Sequence, residues 1–331
     1  MACERRVGIY QNIGSNNFQR VIDIKNKKLL GNGLLLFTAL IWGTAFVFQR
    51  VGMESIEPIT FNAARMALAA VAVGMVALLT QRNGRDFPEN RSVEEQKQYK
   101  KSTIIGGICC GCFLSLASIL QQMGLVYTTA GKAGFITAMY MLLVPIIGFV
   151  FFKKKNTWLV WLSVLLGVVG MYFLCMSGEF RLAYGDSLVC ICAVFFSCHI
   201  LCCDHFVQRG NPIWISTIQF ATATVISSVV AMIVEEPNVE KLVSAVIPIL
   251  YCGVVSGGIG YTLQIVAQKY TDPTIASLLM SMESVFAVVA GAILLQERMS
   301  SRELFGCVMM LAAIVLVQIP LPKGRRVGRK P

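Results

Sequence analysis

Long apolar stretches separated by short polar breaks dominate the chain. The stretches are about as long as a helix that crosses a bilayer, which needs about 20 residues. They lack the alternation of a membrane β-barrel, and an open sheet could not satisfy its backbone in hydrocarbon. The pattern therefore predicts an all-α polytopic membrane protein with ten transmembrane helices. The predicted crossings are 29–49, 58–80, 103–124, 131–152, 157–176, 186–203, 212–234, 244–267, 274–295 and 303–320.

Composition supports this class. Of the 331 residues, 56% are hydrophobic and 14% are charged, whereas soluble domains are roughly 45–50% apolar and 25% charged. The net charge of +11 resides mainly in the breaks between apolar stretches, so we expect the basic residues to set membrane orientation and not to bind nucleic acid. Of the 12 cysteines, all but Cys3 lie in or beside apolar stretches, which favours buried thiols over a disulfide framework.

Basic residues are distributed unevenly across the predicted loops. With a cytoplasmic N-terminus, 22 of the 29 Lys and Arg residues fall on the cytoplasmic side and six on the outer side. Because cytoplasmic loops carry the excess of positive charge, we predict that both termini are cytoplasmic. Segment 1–28 has no apolar region typical of a cleavable signal, and 81–102 is expected to be a solvated cytoplasmic loop.

The second half of the chain repeats the first, with one constant residue offset for the early helices and another for the later segments. The first offset, called the first register, matches helices 1 and 2 to helices 6 and 7. The second offset, called the second register, matches the later segments. We predict two five-helix repeats, 29–176 and 185–320, followed by a basic cytoplasmic tail at 321–331. Matched pairs are Ala39 with Ala193 and Pro58 with Pro212 in the first register, and Gln121 with Gln264, Tyr127 with Tyr270, and Met139 with Met282 in the second.

An odd number of crossings per repeat makes the two halves inverted in the membrane. Such halves can expose a shared site at the midplane first to one side and then to the other. The repeat therefore indicates a transporter that works by alternating access.

Several segments resemble the drug/metabolite transporter superfamily, in its EamA-type branch of ten-helix carriers. The resemblance covers about residues 30 to 320 and implies a carrier in the plasma membrane, commonly an exporter of amino acids or other small metabolites, with a central cavity between the halves. The segments that carry it are ALIWGT at 39–44, Glu57-Pro58, Arg65, LQQ at 120–122, YTTAGKAGF at 127–135, Pro145, and the stretch from Glu283 to Arg298.

Two charged residues lie well inside predicted helices, away from their ends. Arg65 is in helix 2, and Glu283 is near the middle of helix 9. Such residues are costly in a bilayer and usually mark a substrate or ion pathway. Arg65 could bind a substrate carboxylate, and Glu283 could bind an amine or a coupling proton; alternatively, both could be paired internally.

The repeat places uncharged residues opposite these two. Tyr140 corresponds to Glu283, and Gln219 corresponds to Arg65. An asymmetric substrate would require such a difference between otherwise similar halves. Trp42 and Tyr261 could supply aromatic walls that capture a cationic group or could be ordinary packing residues.

Two glutamines form a second candidate set. Gln121 and Gln264 could line opposite ends of the pathway or only hydrogen-bond between helices. Helix 6 contains Cys198, His199, Cys202, Cys203 and His205. This set lacks a paired CxxC pattern, so we predict no metal and no cofactor, and we expect His199 to form an interhelical hydrogen bond.

The function predicted from the sequence is that of a secondary transporter of amino acids or related metabolites, and its transport could be coupled to protons. Efflux of lipophilic cations is the alternative within transport, and Arg65 opposes it because a fixed positive charge repels such ligands. A non-transporting scaffold or a membrane-embedded enzyme is the alternative of another class, although the chain has no HExxH, GxSxG or Walker A motif. The substrate, its direction of movement, the coupling ion and the oligomeric state stay open.

Overall fold

The protein is helical throughout. The structure, a computed structural model, describes residues 2–82, 92–128, 130–175, 184–294, 300–317 and 319; among these, side chains are described from residue 26 onward, except at 82, 130–132, 171, 174, 175 and 303. Helices account for 89% of the described residues, which contain no strand. The predicted tail at 321–331 and residues 83–91 of the predicted loop lie outside this description.

Fourteen α-helices and one π-helix occur in the described residues. They are α1 Ala2–Gly52, α2 Pro58–Arg82, α3 Val93–Tyr127, α4 Ala130–Ala138, α5 Tyr140–Phe152, α6 Trp158–Cys175, α7 Tyr184–Val207, α8 Pro212–Val234, α9 Val239–Ser244, α10 Val246–Leu250, the π-helix Tyr251–Tyr261, α11 Thr262–Gln268, α12 Pro273–Met280, α13 Glu283–Leu294 and α14 Ser301–Val317.

Eight segments of the described chain are long and apolar enough to cross a membrane. Two shorter apolar helices, Trp158–Gly170 and Leu304–Val317, lie where the fifth and tenth crossings are predicted. The eight segments are Asn26–Gly52, Pro58–Gln81, Val93–Tyr127, Ala133–Phe152, Tyr184–Val207, Pro212–Val234, Val246–Gln268 and Pro273–Leu294. The prediction of a multi-pass helical membrane protein is therefore confirmed.

Helix α3 begins well before its predicted start at residue 103. Ser92 accepts a hydrogen bond from the backbone of Glu95, and the Glu95 carboxylate accepts one from the backbone of Ser92. This capping box satisfies backbone N–H groups that a helix start leaves free. The assignment of residues 93–102 to a loop was therefore wrong: the polar sequence was taken for a solvated linker, but it forms the first turns of a long helix.

Two of the apolar segments have a kink in the middle. The first lies between α4 and α5, where the Met139 amide bonds to the Ile136 carbonyl at 3.2 Å; the second lies between α12 and α13, where the Met282 amide bonds to the Leu279 carbonyl at 3.3 Å. Each bond is one residue tighter than in an α-helix, and such short 3₁₀ turns inside a helix often mark hinges.

The core is formed by helices from both halves of the chain. Helix α3 packs on α7 and α8, α2 packs on α8 and the π-helix, and α1 packs on α12, α13 and the segment from α10 to α11. Helices α6 and α14 pack on each other. Large apolar side chains such as Phe151, Met232 and Ile293 are exposed on the outer faces, as a lipid-facing surface requires.

Side chains link the helices at both ends of the bundle. At the end that contains the start of α2, Glu235 accepts hydrogen bonds from the Ile59 and Thr60 amides at 2.9 and 2.7 Å. Glu57 pairs with Lys241 there, and the hydrogen bond from this lysine holds the pKa of the Glu57 carboxyl below its usual range. At the opposite end, Lys154 pairs with Asp204 at 2.9 Å.

Candidate functional site

A small cavity lies in the middle of the helical bundle. Its volume is about 30 Å³, which leaves room for little more than a water molecule. Helices α1, α2, α3 and α7, both kinked segments and the π-helix contribute to its wall. The lining residues are Trp42, Ala45, Phe46, Gln49, Arg65, Gln121, Thr137, Tyr140, Phe196, Ser256, Tyr261 and Glu283.

The two kinked segments meet at this cavity. Tyr140 is the first residue of α5 and Glu283 is the first residue of α13, so each directly follows a kink. The Tyr140 hydroxyl donates a hydrogen bond to Glu283 Oε1 at 2.9 Å, and both side chains are buried. A carboxylate there therefore has one neutral donor, and none of the described basic residues lies within ion-pair distance of it.

Arg65 is held by a buried polar network. Its Nε donates to Asn62 Oδ1 at 3.0 Å. The Asn62 amide nitrogen donates in turn to Ser118 Oγ at 3.0 Å and to Ser227 Oγ at 2.9 Å, so side chains from α3 and α8 fix the orientation of the amide. The Nη2 atom of Arg65 has no hydrogen-bond partner among the described residues. A buried donor without a partner is costly, so this guanidinium is suited to an anionic ligand.

Aromatic side chains form another wall of the cavity. The rings of Trp42 and Tyr261 lie 4.6 Å apart between centroids. Trp42 Nε1 donates to the Ser256 carbonyl at 3.3 Å, within the π-helix. A π-helix is wider than an α-helix and is frequent at functional sites, and here it directs backbone toward the tryptophan.

Six of the seven predicted site residues line this one cavity. The exception is Gln264, which is buried in α11 and is absent from the lining. Phe46, Gln49 and Thr137 also line the cavity and were not predicted from the sequence. Thr137 accepts a hydrogen bond from Gln121 Nε2 at 3.1 Å, and a polar residue three positions before Tyr140 in an apolar segment was the signal that could have found it.

His199 forms the interhelical hydrogen bond that the sequence predicted. Its Nε2 lies 2.9 Å from Gln219 Oε1, which joins α7 to α8. Gln219 is the residue that the repeat places opposite Arg65, so this position is occupied by a neutral side chain with a different partner.

The sequence of this chain is similar to proteins named as transporters. An uncharacterized transporter of Archaeoglobus fulgidus is 29% identical over 297 residues, which cover 88% of this chain and 87% of that protein. The uncharacterized transporter YoaV of Bacillus subtilis is 21% identical over 295 residues, which cover 88% of this chain and 96% of that protein. A crystal structure at 18% identity has the same fold, with a TM-score of 0.68 over 89% of this chain and 96% of that chain.

The family model for EamA-like transporters matches residues 29–176 and again residues 183–319. The chain therefore belongs to the EamA-like transporter family, as the sequence resemblance implied. A small-molecule substrate and residence in a lipid bilayer follow from this membership, and the cavity is the candidate substrate site.

The close approach of Trp42 to the π-helix yields a prediction. A Cβ atom at Gly260 would lie 2.7 Å from Trp42 Nε1, whereas one at Gly258 would lie no closer than 3.6 Å to Ala72 Cβ. We expect Gly260→Ala to displace the indole and to destabilise the protein by about 1–3 kcal/mol, the usual effect of overpacking. Gly258→Ala is the matched control, because it makes the same change in helix propensity without the clash. Thermal unfolding in detergent and tryptophan emission would measure both effects; equal behaviour of the two variants would contradict this packing.

Proposed function

We propose that the protein is a secondary transporter that exports amino acids or related small metabolites across the plasma membrane by alternating access. One observation carries the proposal. The same cavity is lined by Arg65, whose Nη2 has no hydrogen-bond partner among the described residues, and by Glu283, whose one partner among them is the Tyr140 phenol. Together these groups complement the carboxylate and the ammonium of a zwitterion.

The proposed transporter has ten transmembrane helices. Helix α6 has 18 residues and α14 has 17, so at 1.5 Å per residue each is roughly 26 Å long, close to the thickness of the hydrocarbon core. Both are apolar, and they pack on each other at the edge of the bundle. These lengths support crossings five and ten, and the excess of basic residues in the proposed cytoplasmic loops supports cytoplasmic termini.

The proposed halves are inverted repeats, and the packing supports this. In the repeat, α3 corresponds to the α10–α11 segment, α1 corresponds to α7, and α2 corresponds to α8. The contact of α3 with α7 therefore has its equivalent in the contact of the α10–α11 segment with α1, and the contact of α3 with α8 has its equivalent in the contact of that segment with α2. All four contacts are present. The kink at Met139 corresponds to the kink at Met282 in the second register of the repeat.

Two glycines provide finer support. A Cβ atom at Gly31 would lie 3.2 Å from the Ala267 carbonyl and 3.4 Å from Tyr270 Cβ. A Cβ atom at Gly185 would lie 2.7 Å from the Gly124 carbonyl and 2.8 Å from Tyr127 Cβ. Gly185 corresponds to Gly31 in the first register, and residues 124 and 127 correspond to 267 and 270 in the second. Equivalent glycines thus allow equivalent helix contacts in the two halves.

The contents of the cavity support a zwitterionic substrate. The guanidinium of Arg65 can donate to a carboxylate through Nη2, while Asn62 holds it in place. Trp42 and Tyr261 form an aromatic surface on which a cationic or apolar substrate group can lie. Because the cavity holds little more than a water molecule, binding must enlarge it, and the kinks at Met139 and Met282 are the proposed points of movement.

Proton coupling is proposed for Glu283. No described basic residue lies within ion-pair distance of this buried carboxylate, although Arg65 lines the same cavity, so a proton or a substrate ammonium can occupy the position beside it. If the two compete for the same carboxylate, binding of one is linked to release of the other. The Tyr140 hydroxyl keeps Glu283 Oε1 oriented in either case.

The substrate role of Arg65 can be tested in proteoliposomes with a panel of radiolabelled amino acids and their amine analogues without a carboxylate. We expect Arg65→Gln to raise KM for carboxylate-bearing substrates about 10- to 100-fold, because charge-assisted hydrogen bonds contribute about 1.5–3 kcal/mol. The control is Arg302→Gln, which removes an arginine that lies over the Tyr172 ring, away from the cavity. Unchanged carboxylate transport in a folded Arg65→Gln variant would contradict this role, and selective transport of lipophilic cations by the wild type would favour the alternative carrier.

The proton role of Glu283 has a separate test. We expect Glu283→Gln to abolish substrate-driven proton movement, recorded with a pH-sensitive dye inside the proteoliposomes, while substrate exchange is still measurable. Glu240→Gln is the control, because Glu240 is exposed in α9. Substrate-driven proton movement that persists in Glu283→Gln would show that another group couples the fluxes.

A further inference from the structure

Three soft metal-binding side chains converge between α3 and α7. They are Cys110, His199 and Cys203, all buried, and their ligand atoms all lie within 4.8 Å of one another. The Cys110 and Cys203 sulfurs are 3.6 Å apart, and the Cys203 sulfur is 3.5 Å from His199 Nε2 and 4.0 Å from His199 Nδ1. Cys110 belongs to a different helix from the other two, so the sequence pattern of helix 6 could not reveal this set.

The spacing of these atoms matches the edges of a tetrahedral zinc site. With Zn–S bonds of about 2.3 Å and Zn–N bonds of about 2.0–2.1 Å, neighbouring sulfurs lie about 3.8 Å apart and a sulfur lies about 3.6 Å from a nitrogen. The Cys110–Cys203 and Cys203–His199 distances differ from these values by a few tenths of an ångström, and the Cys110 and His199 ligand atoms lie within 4.8 Å of each other. One ion could therefore contact all three groups with small side-chain adjustments.

A neighbouring amide supports the histidine as a metal ligand. His199 Nε2 lies 2.9 Å from Gln219 Oε1. An amide oxygen can only accept here, so Nε2 carries the proton and donates, and Nδ1, which lies 4.0 Å from the Cys203 sulfur, keeps its lone pair free. Metal-binding histidines usually donate their second N–H to such an acceptor, which fixes the ring and its tautomer.

Charge favours Zn²⁺ over other soft ions. Two thiolates and a neutral imidazole balance the ion, so the site has no net charge, which suits a position within the helical bundle of a membrane protein. Cu⁺ in the same ligand set would leave one negative charge. Cys202, whose sulfur is 3.4 Å from that of Cys110, lies beside the set; as a third thiolate it would give the site one negative charge, so it is not among the proposed ligands.

We propose that Cys110, Cys203 and His199 bind one Zn²⁺ ion, with release of the two thiol protons, and that the ion joins α3 to α7. The site is next to the transport cavity, because the His199 ring lies 5.9 Å from the ring of Tyr261, which lines it. The ion is thus a structural component of the wall of the cavity and is distinct from the transported substrate.

The test uses the full-length protein, purified without metal-affinity resin, stripped with chelator and titrated with Zn²⁺ in reducing buffer. We expect one Zn²⁺ per chain by elemental analysis and a higher melting temperature. Titration with Co²⁺ should produce sulfur-to-cobalt charge-transfer absorption and the visible bands of a tetrahedral ion.

Variants separate the proposed site from other cysteines. Cys203→Ser and His199→Gln should lower Zn²⁺ affinity at least tenfold, whereas Cys112→Ser, which replaces an exposed cysteine on α3, should bind as the wild type does. Should the core variants fail to fold, the wild-type Co²⁺ spectrum and stoichiometry decide. The proposal would be overturned by zinc binding below about 0.1 ion per chain or by a Co²⁺ spectrum without a sulfur band. Occupancy by Cu⁺ alone, or a Cys110–Cys202 disulfide that persists in the reducing buffer, would also overturn it.

Discussion

The hydrogen bond between Tyr140 and Glu283 is the interaction around which the protein is arranged. Each residue begins a helix directly after a 3₁₀ kink, so the bond joins the bend of one segment to the bend of another. Tyr140 and Glu283 are both buried, and both line the same cavity as Arg65. In the proposed mechanism, a change in the protonation or ligation of Glu283 would act on both segments, because this hydrogen bond joins them.

Much of this arrangement could be predicted from the sequence, because hydrophobic pattern and internal repetition determine which positions meet. The second register of the repeat paired Tyr140 with Glu283, and Arg65 stood out as a charge in an apolar stretch. The hydrophobic pattern could not predict where α3 starts, because the first turns of this helix are polar and are stabilised by a capping box. Gln264 was expected along the pathway, but the side chain of an isolated polar residue can point toward another helix.

The π-helix explains a flaw in the repeat register. A Cβ atom at Gly111 would lie 2.7 Å from the Gln219 carbonyl, and one at Gly253 would lie 2.9 Å from the Arg65 carbonyl. Because Gln219 corresponds to Arg65, these contacts make Gly111 the structural equivalent of Gly253. The second register, which pairs the kinks at Met139 and Met282, would instead pair Gly111 with Val254. A π-helix accommodates one inserted residue, and the shift falls between Gly253 and Ala267, a stretch that contains most of the π-helix. Sequence alignment alone cannot place such an insertion, so the register predicted from the sequence is shifted by one position in this stretch.

Alternating access requires the two ends of the bundle to open in turn, and side chains link the helices at both ends. Spin labels at exposed Glu54 and Glu240 would report on the end that contains Glu57 and Lys241, and labels at Lys155 and Arg209 would report on the end that contains Lys154 and Asp204. The most direct measurement is the pair of label distances in lipid nanodiscs, with and without a transported substrate or a pH change. If the two halves alternate, one distance should lengthen by several ångströms as the other shortens. Distances that stay fixed, or that lengthen together, in a variant that still transports would contradict alternating access.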